Sequence, residues 1–328
     1  MEPEKYPIVK NSHVVPRTYL LRFADERGRI VVCVRGRAHL TNVDKAGTRS
    51  KFYARERPDG TEIHDIEWSL SQVEDRAGPL LRKATELWPL SVDDKGALAT
   101  LFALQILRGP RWMKWHEEFT QDYVVEQLDL GEDREELETL EEALLSRTEI
   151  FAKMLDLAKK VTPLMASLKW TLLQFRRPWL ATSDHPVVLW PIGVGARAPQ
   201  ATPHGVGLFE ALEYRVPISA TEAILMTWAD GPDTRAVAHK DQAASLNAFT
   251  VAEASPQWFH LPGVPPPIGT GYLKPLSPRV LPGYSDHVAM MSPRRARTQQ
   301  IVQPLIGKDI LPEEPTEVVY VPPEPRSA

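Results

Sequence analysis

The sequence has a single cysteine and lacks the long apolar runs of membrane helices. Cys33 is the only cysteine among 328 residues, which excludes an intramolecular disulfide and a cysteine-based metal cluster. No run approaches the roughly 18 apolar residues that a transmembrane helix needs. The first ten residues are charged and do not resemble a secretory signal. We therefore expect a cytoplasmic protein without a membrane partner.

Charge is unevenly distributed along the chain. The net charge is -4 and the isoelectric point is about 6.2, so the whole chain gives no reason to expect binding to nucleic acid or membrane. However, residues 1–60 contain 13 Lys and Arg against 7 Asp and Glu, whereas residues 62–150 contain 9 against 21. The basic N-terminal segment is a candidate contact for a nucleic-acid substrate. The alternative is two surfaces that are solvated differently.

Helical periodicity covers much of the first half of the chain. Segments 67–88, 91–110 and 131–160 carry apolar residues three or four positions apart. The last segment predicts one amphipathic helix of about thirty residues. Ser91 is a suitable N-cap for the second segment, and Pro79 predicts a kink or a break in the first.

Short apolar runs dominate the rest of the chain. Residues 29–35 predict a strand, and residues 49–55 a shorter one. After Pro163, four runs separated by turn residues predict a mostly antiparallel sheet, followed by a helix and a last strand. Helices grouped before strands are typical of the α+β class. The four runs, the helix and the strand are residues 168–175, 179–190, 208–219, 222–228, 240–255 and 256–261.

Proline density separates one domain from a tail. Residues 262–328 contain 14 prolines, too many for helices or central strands. We predict one α+β domain over residues 1–261, in which N-terminal strands and a helical block (about 62–162) pack on the sheet (about 166–261). The Pro-rich tail is predicted to be extended and is a candidate element for binding a protein partner.

Polar side chains interrupt apolar surroundings at four places. Gln105 and Arg108 share one face of a helix that is apolar nearly all round, so both are expected to be buried. A buried guanidinium needs a partner, for which Glu74 or Asp184 is suitable. The alternatives to a functional role are a structural ion pair and an exposed arginine that binds the last carbonyls of the helix. The alternative for Glu74 is a position on a solvated helix face. The alternative for His13 is a structural role as a hydrogen-bonded histidine.

Residues 182–186 (Thr-Ser-Asp-His-Pro) form a polar stretch inside an apolar segment. Pro186 favours an extended His185 and removes a backbone donor, which predicts a strand end or a bulge. Functional side chains are common at such positions. Ser183 and especially Asp184 are therefore candidates for a site. The alternative for Asp184 is an Asx turn.

The ordered set of these residues resembles a bacterial family catalogued as domain of unknown function 4238. Its members show His-x-x-Pro-x-x-Tyr-Leu-x-x-Phe, an aromatic pair, a helical Glu, Gln-x-x-Arg, a tryptophan-led strand, Thr-Ser-Asp-x-Pro and a late Asn. The resemblance covers about residues 11–260 and implies no activity or substrate, but it coincides with the polar candidates. His185 departs from the small polar residue common in relatives, so no role is implied for it. The matching residues are His13, Pro16, Tyr19, Leu20, Phe23, Phe52, Tyr53, Glu74, Gln105, Arg108, Trp170, Thr182, Ser183, Asp184, Pro186 and Asn247.

Two main classes of function fit these candidates. In a metal-dependent phosphodiester hydrolase of the nuclease type, Glu74 and Asp184 would hold Mg²⁺ or Mn²⁺. Arg108 would bind a phosphate and His13 would transfer protons, with Gln105 and Ser183 completing the catalytic set. The alternative is a non-catalytic binding or sensing module in which the same residues form a structural network. A small-molecule transferase is a third option.

Overall fold

The computed structural model describes residues 9–34, 36–56, 61–129, 134–191, 208 and 211–269. Residues 270–328 lie outside the described residues, so the extended conformation of the Pro-rich tail stays a prediction. Residues 262–269, the described start of the tail, lie beside the helix that contains Ala244, and the Gly269 amide donates to the Ala244 carbonyl at 2.9 Å.

Helices occupy the centre of the described chain, and strands flank them on both sides in sequence. The helices are α1 (Arg17–Leu20), α2 (Asp65–Arg82), α3 (Ala84–Leu87), α4 (Val92–Leu107), α5 (Pro110–Asp129), α6 (Arg134–Leu145), α7 (Arg147–Ser167) and α8 (Lys240–Ala252). The strands are β1 (Asn11–His13), β2 (Arg29–Val34), β3 (Arg37–Asn42), β4 (Thr48–Ser50), β5 (Arg55–Glu56), β6 (Glu62–Ile63), β7 (Lys169–Phe175), β8 (Ala181–Ser183), β9 (Val188–Pro191), β10 (Ala211–Ser219), β11 (Glu222–Thr227), β12 (Thr234–Ala238) and β13 (Gln257–His260).

The strands form two larger sheets and two small ribbons. The five-stranded sheet has the order β12-β7-β11-β10-β9, in which only β12 and β7 are parallel. The four-stranded sheet has the order β3-β2-β13-β8 and is antiparallel throughout. The ribbons pair β1 with β4 and β5 with β6. This arrangement confirms the α+β class with mostly antiparallel sheets.

Helix α4 lies at the centre of the core, as its apolar circumference predicted. Ser91 caps it by accepting a hydrogen bond from the Asp94 amide at 3.1 Å. Phe102 packs against Trp170 of β7, with ring centroids 5.8 Å apart. The helix ends at Leu107, and α5 begins at Pro110, a residue favoured in the first turn because it needs no backbone donor there.

The prediction of one helix over residues 131–160 is wrong. The chain forms α6 and α7 instead, and Ser146 between them caps α7 by accepting from the Glu149 amide at 3.2 Å. Helix α7 also continues past Pro163 to Ser167, beyond the predicted end of the helical part. Buried side chains on its last turns, such as Met165, hold that end in the core and outweigh the lost hydrogen bond.

The structure also differs from the sequence prediction at Pro79 and over residues 179–190. Helix α2 continues through Pro79 to Arg82 and is followed by the separate α3, so the break comes later than Pro79 suggests. The segment 179–190 is not one strand: β8 joins the four-stranded sheet and β9 joins the five-stranded sheet. The polar stretch 182–186 therefore lies where the chain passes from one sheet to the other.

Within the described ranges, no helix combines the length and the apolar character that crossing a membrane requires. The cytoplasmic location stays a prediction.

Candidate functional site

Arg108 follows the last turn of α4 and connects three parts of the fold. Its side chain is 1% exposed, and its Nη1 donates to Glu74 Oε1 of α2 at 2.6 Å. Its Nη2 donates to the His13 carbonyl at 3.1 Å, and its Nε donates to the Val14 carbonyl at 3.0 Å. We call these contacts the Arg108 network. Of the two predicted carboxylate partners, the structure selects Glu74.

The environment of Arg108 keeps it charged. Burial by itself lowers the pKa of a guanidinium, but the nearby carboxylates of Glu74 and Glu67 outweigh it and leave the pKa of Arg108 raised. Tyr53 is buried, its hydroxyl donates to the Arg108 carbonyl at 3.2 Å, and its ring centroid lies 6.0 Å from the guanidinium carbon. The aromatic pair of the sequence pattern thus supports the arginine.

His13 takes part through its backbone. It is the last residue of β1, and its carbonyl, not its ring, accepts from Arg108. The ring Nε2 lies 3.4 Å from the Val43 carbonyl. The contact of His13 with Arg108 therefore does not depend on an imidazole.

Asp184 is 3% exposed, and its carboxylate binds the turn that precedes β13. Oδ1 accepts from the Ser255 amide at 2.6 Å, and Oδ2 accepts from the Gln257 amide at 3.1 Å. The Asp184 amide in turn donates to the Gln257 carbonyl at 2.9 Å. Burial raises the pKa of Asp184, and the two amide hydrogen bonds offset this only in part. The carboxylate therefore caps a distant turn.

Ser183 and His185 form a local turn beside Asp184. The Ser183 hydroxyl donates to the His185 carbonyl at 2.9 Å and accepts from the His185 amide at 3.2 Å. Ser183 is fully buried. This geometry is that of a serine that closes its own turn.

The polar stretch 182–186 and the end of α4 are in contact through their backbones. A Cβ on Gly109 would lie 3.4 Å from the Asp184 carbonyl oxygen. The structure therefore brings Asp184 next to the residue that follows Arg108. The two side chains nevertheless bind different partners, since Arg108 binds Glu74 and Asp184 binds backbone amides.

Gln105 lies one turn before Arg108 on α4 and is 2% exposed. Neither its Oε1 nor its Nε2 has a hydrogen-bond partner among the described residues. A buried amide without partners costs about 1–3 kcal/mol of stability. The prediction that Gln105 is buried is correct, and its lack of partners is unusual for a purely structural residue.

Glu67 is a further candidate residue, which the sequence pattern did not single out. It lies seven residues before Glu74, so both carboxylates lie on one face of α2, with buried Leu70 between them. Burial raises the pKa of Glu67, whereas the nearby Ser12 hydroxyl and Arg108 lower it. The seven-residue spacing of Glu67 and Glu74 was the signal that would have revealed it.

The polar atoms around Glu67 are incompletely paired. Ser12 is 1% exposed, and its hydroxyl approaches Glu67 closely enough to lower the pKa of that carboxyl. It does not complete a hydrogen bond of ordinary geometry, and Glu67 Oε1 is enclosed without a donor within the described part of the chain. Glu67 therefore keeps an unused acceptor, in contrast to Glu74.

Five of the 13 basic residues of the N-terminal segment form ion pairs within the fold. Ion pairs of 2.5–2.8 Å, or shorter, join them to carboxylates from several elements. The pairs are Arg17–Asp44, Arg22–Glu222, Arg29–Asp25, Lys51–Glu62 and Arg55–Asp65. Arg49 is exposed, and its guanidinium carbon lies 5.8 Å from the Phe52 ring centroid.

Within the described ranges, no group of three or more His, Cys, Asp and Glu side chains is placed to hold a metal ion. Glu74 and Asp184, the predicted ligands of Mg²⁺ or Mn²⁺, each use carboxylate oxygens to accept hydrogen bonds from protein donors.

The profile of one protein family matches residues 11–260, a range that contains every candidate residue described above. The family is described as protein of unknown function (DUF4238). The chain belongs to the DUF4238 family. No curated protein and no solved structure is significantly similar to the chain.

Asn247 of this DUF4238 protein, the late asparagine of the sequence pattern, joins three segments. It is fully buried on α8, and its Oδ1 accepts from the Ala181 amide at 2.9 Å. Its Nδ2 donates to the carbonyls of Trp179 and Pro267, each at 2.7 Å. Asn247 therefore fixes β8 and the start of the Pro-rich segment to α8.

Proposed function

We propose that the protein is a non-catalytic binding module in which the Arg108 network and Asp184 hold the fold together. The observation that carries this proposal is the pairing of the charged groups: Glu74 binds Arg108, and Asp184 binds two backbone amides. Groups satisfied in this way stabilise a unique arrangement of helices and sheets. The unused polar atoms of Ser12 and Glu67 lie beside this network and are the proposed ligand contacts.

The geometry supports a metal-dependent phosphodiester hydrolase less well. A divalent cation would need the oxygens of Glu74 and Asp184 that accept protein hydrogen bonds. Each of the three guanidinium nitrogens of Arg108 donates to a carbonyl or carboxylate of the protein. Arg108 would have to release these partners before it could bind a phosphate. Breaking a buried, hydrogen-bonded ion pair is costly.

The charge pattern also favours a small ligand over nucleic acid. Five basic side chains of residues 1–60 form ion pairs with carboxylates of the chain itself. Salt-dependent binding to a phosphate backbone relies on cations that are free to replace counterions. The Pro-rich segment after residue 261 remains the proposed element for a protein partner.

Thermal denaturation with and without Mg²⁺ or Mn²⁺ tests the proposal, combined with an assay for hydrolysis of single- and double-stranded oligonucleotides. We expect no cation-dependent rise in the melting temperature and no hydrolysis. A functional cation site at 100 times its dissociation constant would stabilise the protein by about 2.7 kcal/mol. A rise that disappears in both Glu74→Gln and Asp184→Asn, together with cation-dependent hydrolysis, would establish the hydrolase instead.

A further inference from the structure

We infer that two copies of the chain associate through the free edge of β3 and form one continuous antiparallel sheet. The dimer has a two-fold axis at His39, so Ala38 of each copy lies opposite Leu40 of the other. This interface goes beyond the proposed ligand binding and does not depend on it.

Strand β3 is an edge strand without the usual protection. It pairs with β2 over six residues without a register shift, and it contains no proline. Its other side has no neighbouring strand among the described residues, and five of its six residues are exposed. Proteins commonly protect such an edge with a proline, a bulge, a lysine or a covering segment, because its free amides and carbonyls bind another strand.

Two other sheet edges are covered, in contrast to β3. Beside β8, the Asn247 side chain of α8 accepts from the Ala181 amide at 2.9 Å and donates to the Trp179 carbonyl at 2.7 Å. At β12, the Trp88 indole donates to the Thr234 carbonyl at 2.8 Å. These side chains occupy backbone groups that a further strand would need.

The hydrogen bonds to β2 determine which backbone groups of β3 are free. The Val43 amide donates to the Gly28 carbonyl at 3.0 Å, and this pair continues the register of the β2–β3 ladder. Hydrogen-bonded and non-hydrogen-bonded pairs alternate along an antiparallel ladder. His39 therefore directs its amide and carbonyl toward β2, whereas Ala38 and Leu40 direct theirs away from it.

The free backbone groups select one two-fold register. With the axis at His39, the amide and carbonyl of Ala38 bind the carbonyl and amide of Leu40 in the other copy, and the symmetric pair does the same. With the axis at Leu40, Ala38 would lie opposite Asn42 instead. The Asn42 carbonyl already accepts amides of the following turn at 3.0 and 3.2 Å, so the axis at His39 leaves fewer groups in competition.

The apolar side chains match in this register. Leu40 is 50% exposed, and directly opposite residues of paired strands project from the same face of a sheet. Leu40 therefore packs against Ala38 of the other copy. Within one copy, Leu40 lies opposite Val31 and Ala38 lies opposite Cys33, so the apolar rows of the sheet continue across the interface.

The charge of β3 also permits a second copy. Arg37 is the only charged residue of the strand, and it lies opposite Thr41 of the other copy in this register. The two Arg37 residues are then about 14 Å apart along the strands. This distance exceeds the Debye length of about 8 Å at physiological ionic strength, so their repulsion is weak. A second copy supplies a strand that is already extended, which reduces the entropy lost on binding.

Sedimentation equilibrium and light scattering of the full chain test the inference. We expect a mass that rises with concentration toward twice 36.9 kDa. Ala38→Pro removes an outward-facing amide that the ladder with β2 does not use, a position where an edge strand tolerates proline. Leu40→Lys replaces the apolar contact with a charge. Each variant should weaken dimerisation at least about tenfold.

Val237→Lys is the matched control, because Val237 is 62% exposed on the edge strand β12. It should dimerise like the wild type, and circular dichroism should show that all three variants are folded. Hydrogen exchange at the Ala38 and Leu40 amides should slow only at concentrations at which the protein dimerises.

Three results would overturn the inference. The wild type could stay monomeric at every concentration, the two β3 variants could dimerise as strongly as the wild type, or the control could weaken the dimer as much as they do. Slow exchange of these amides in a monomer would show that another segment of the chain covers the edge of β3, which also overturns it.

Discussion

Replacing Arg108 with alanine removes a side chain that joins β1, α2 and the end of α4 through one guanidinium group. The variant leaves the Glu74 carboxylate without its 2.6 Å partner and leaves the His13 and Val14 carbonyls without their charged donor. Breaking a buried ion pair by removing one partner costs about 3–5 kcal/mol. Because the Glu74 side chain is 21% exposed, water partly solvates it, and we expect the lower half of that range.

Equilibrium unfolding in urea, monitored by circular dichroism, measures this loss as a lower transition midpoint. Arg76→Ala is the matched control, since Arg76 is an exposed arginine on α2 and should change stability by no more than about 0.5 kcal/mol. The double variant Arg108→Met with Glu74→Leu should regain part of the loss, because no buried charge remains unpaired. If Arg108→Ala matches the Arg76 control, the Arg108 network does not stabilise the fold and our reasoning fails.

Three further changes have definite expected outcomes. Asp184→Asn should lower stability by about 1–3 kcal/mol, because the NH₂ group of the new side chain faces a backbone N–H and cannot accept the hydrogen bond that the carboxylate oxygen accepted. An unchanged or higher melting temperature would contradict the structural role. The pKa of Glu67 is raised above its usual 4.5, so the folded state binds the proton of this carboxyl more tightly than the unfolded state does. The contribution of Glu67 to stability is therefore largest at low pH and is lost as the pH rises through the raised pKa. The free energy of unfolding should therefore fall less between about pH 4.5 and pH 7 in Glu67→Gln than in the wild type, and parallel pH profiles would argue against it. Ser146→Ala should destabilise by about 0.5–2 kcal/mol in thermal denaturation by removing the cap of α7, and a neutral result would mean that the cap is dispensable.

The local features of the fold were predictable where one short segment contains the whole signal. The cap of α4 follows from Ser91 and its three-residue spacing to Asp94. The same spacing occurs at Ser146 and Glu149, but the continuous helical period on both sides of Ser146 hid the break between α6 and α7. Periodicity alone does not distinguish one long helix from two consecutive helices whose apolar residues continue the same helical spacing.

The sheet arrangement was only partly predictable. The apolar runs of β7, β10 and β11 indicated an antiparallel sheet, which the structure confirms. The exposed strand β3 and the parallel edge strand β12 have weak apolar patterns and were not predicted. Strand formation at an edge depends on a neighbour that supplies hydrogen bonds, and that neighbour is set by the whole fold.

The candidate site shows the same division between local and tertiary information. Residue type and an apolar context were sufficient to predict that Arg108 is buried and needs a carboxylate, because an isolated buried charge is too costly. Only the tertiary structure assigns Glu74 as that carboxylate, 34 residues away, and directs Asp184 to amides 71 and 73 residues away. The tertiary structure also shows that His13 contacts Arg108 through its backbone carbonyl, whereas a role of its side chain was expected. The cost of burial is a property of each residue and its neighbours in sequence, whereas the choice of partner depends on which backbone groups the packed helices and sheets leave within hydrogen-bonding distance.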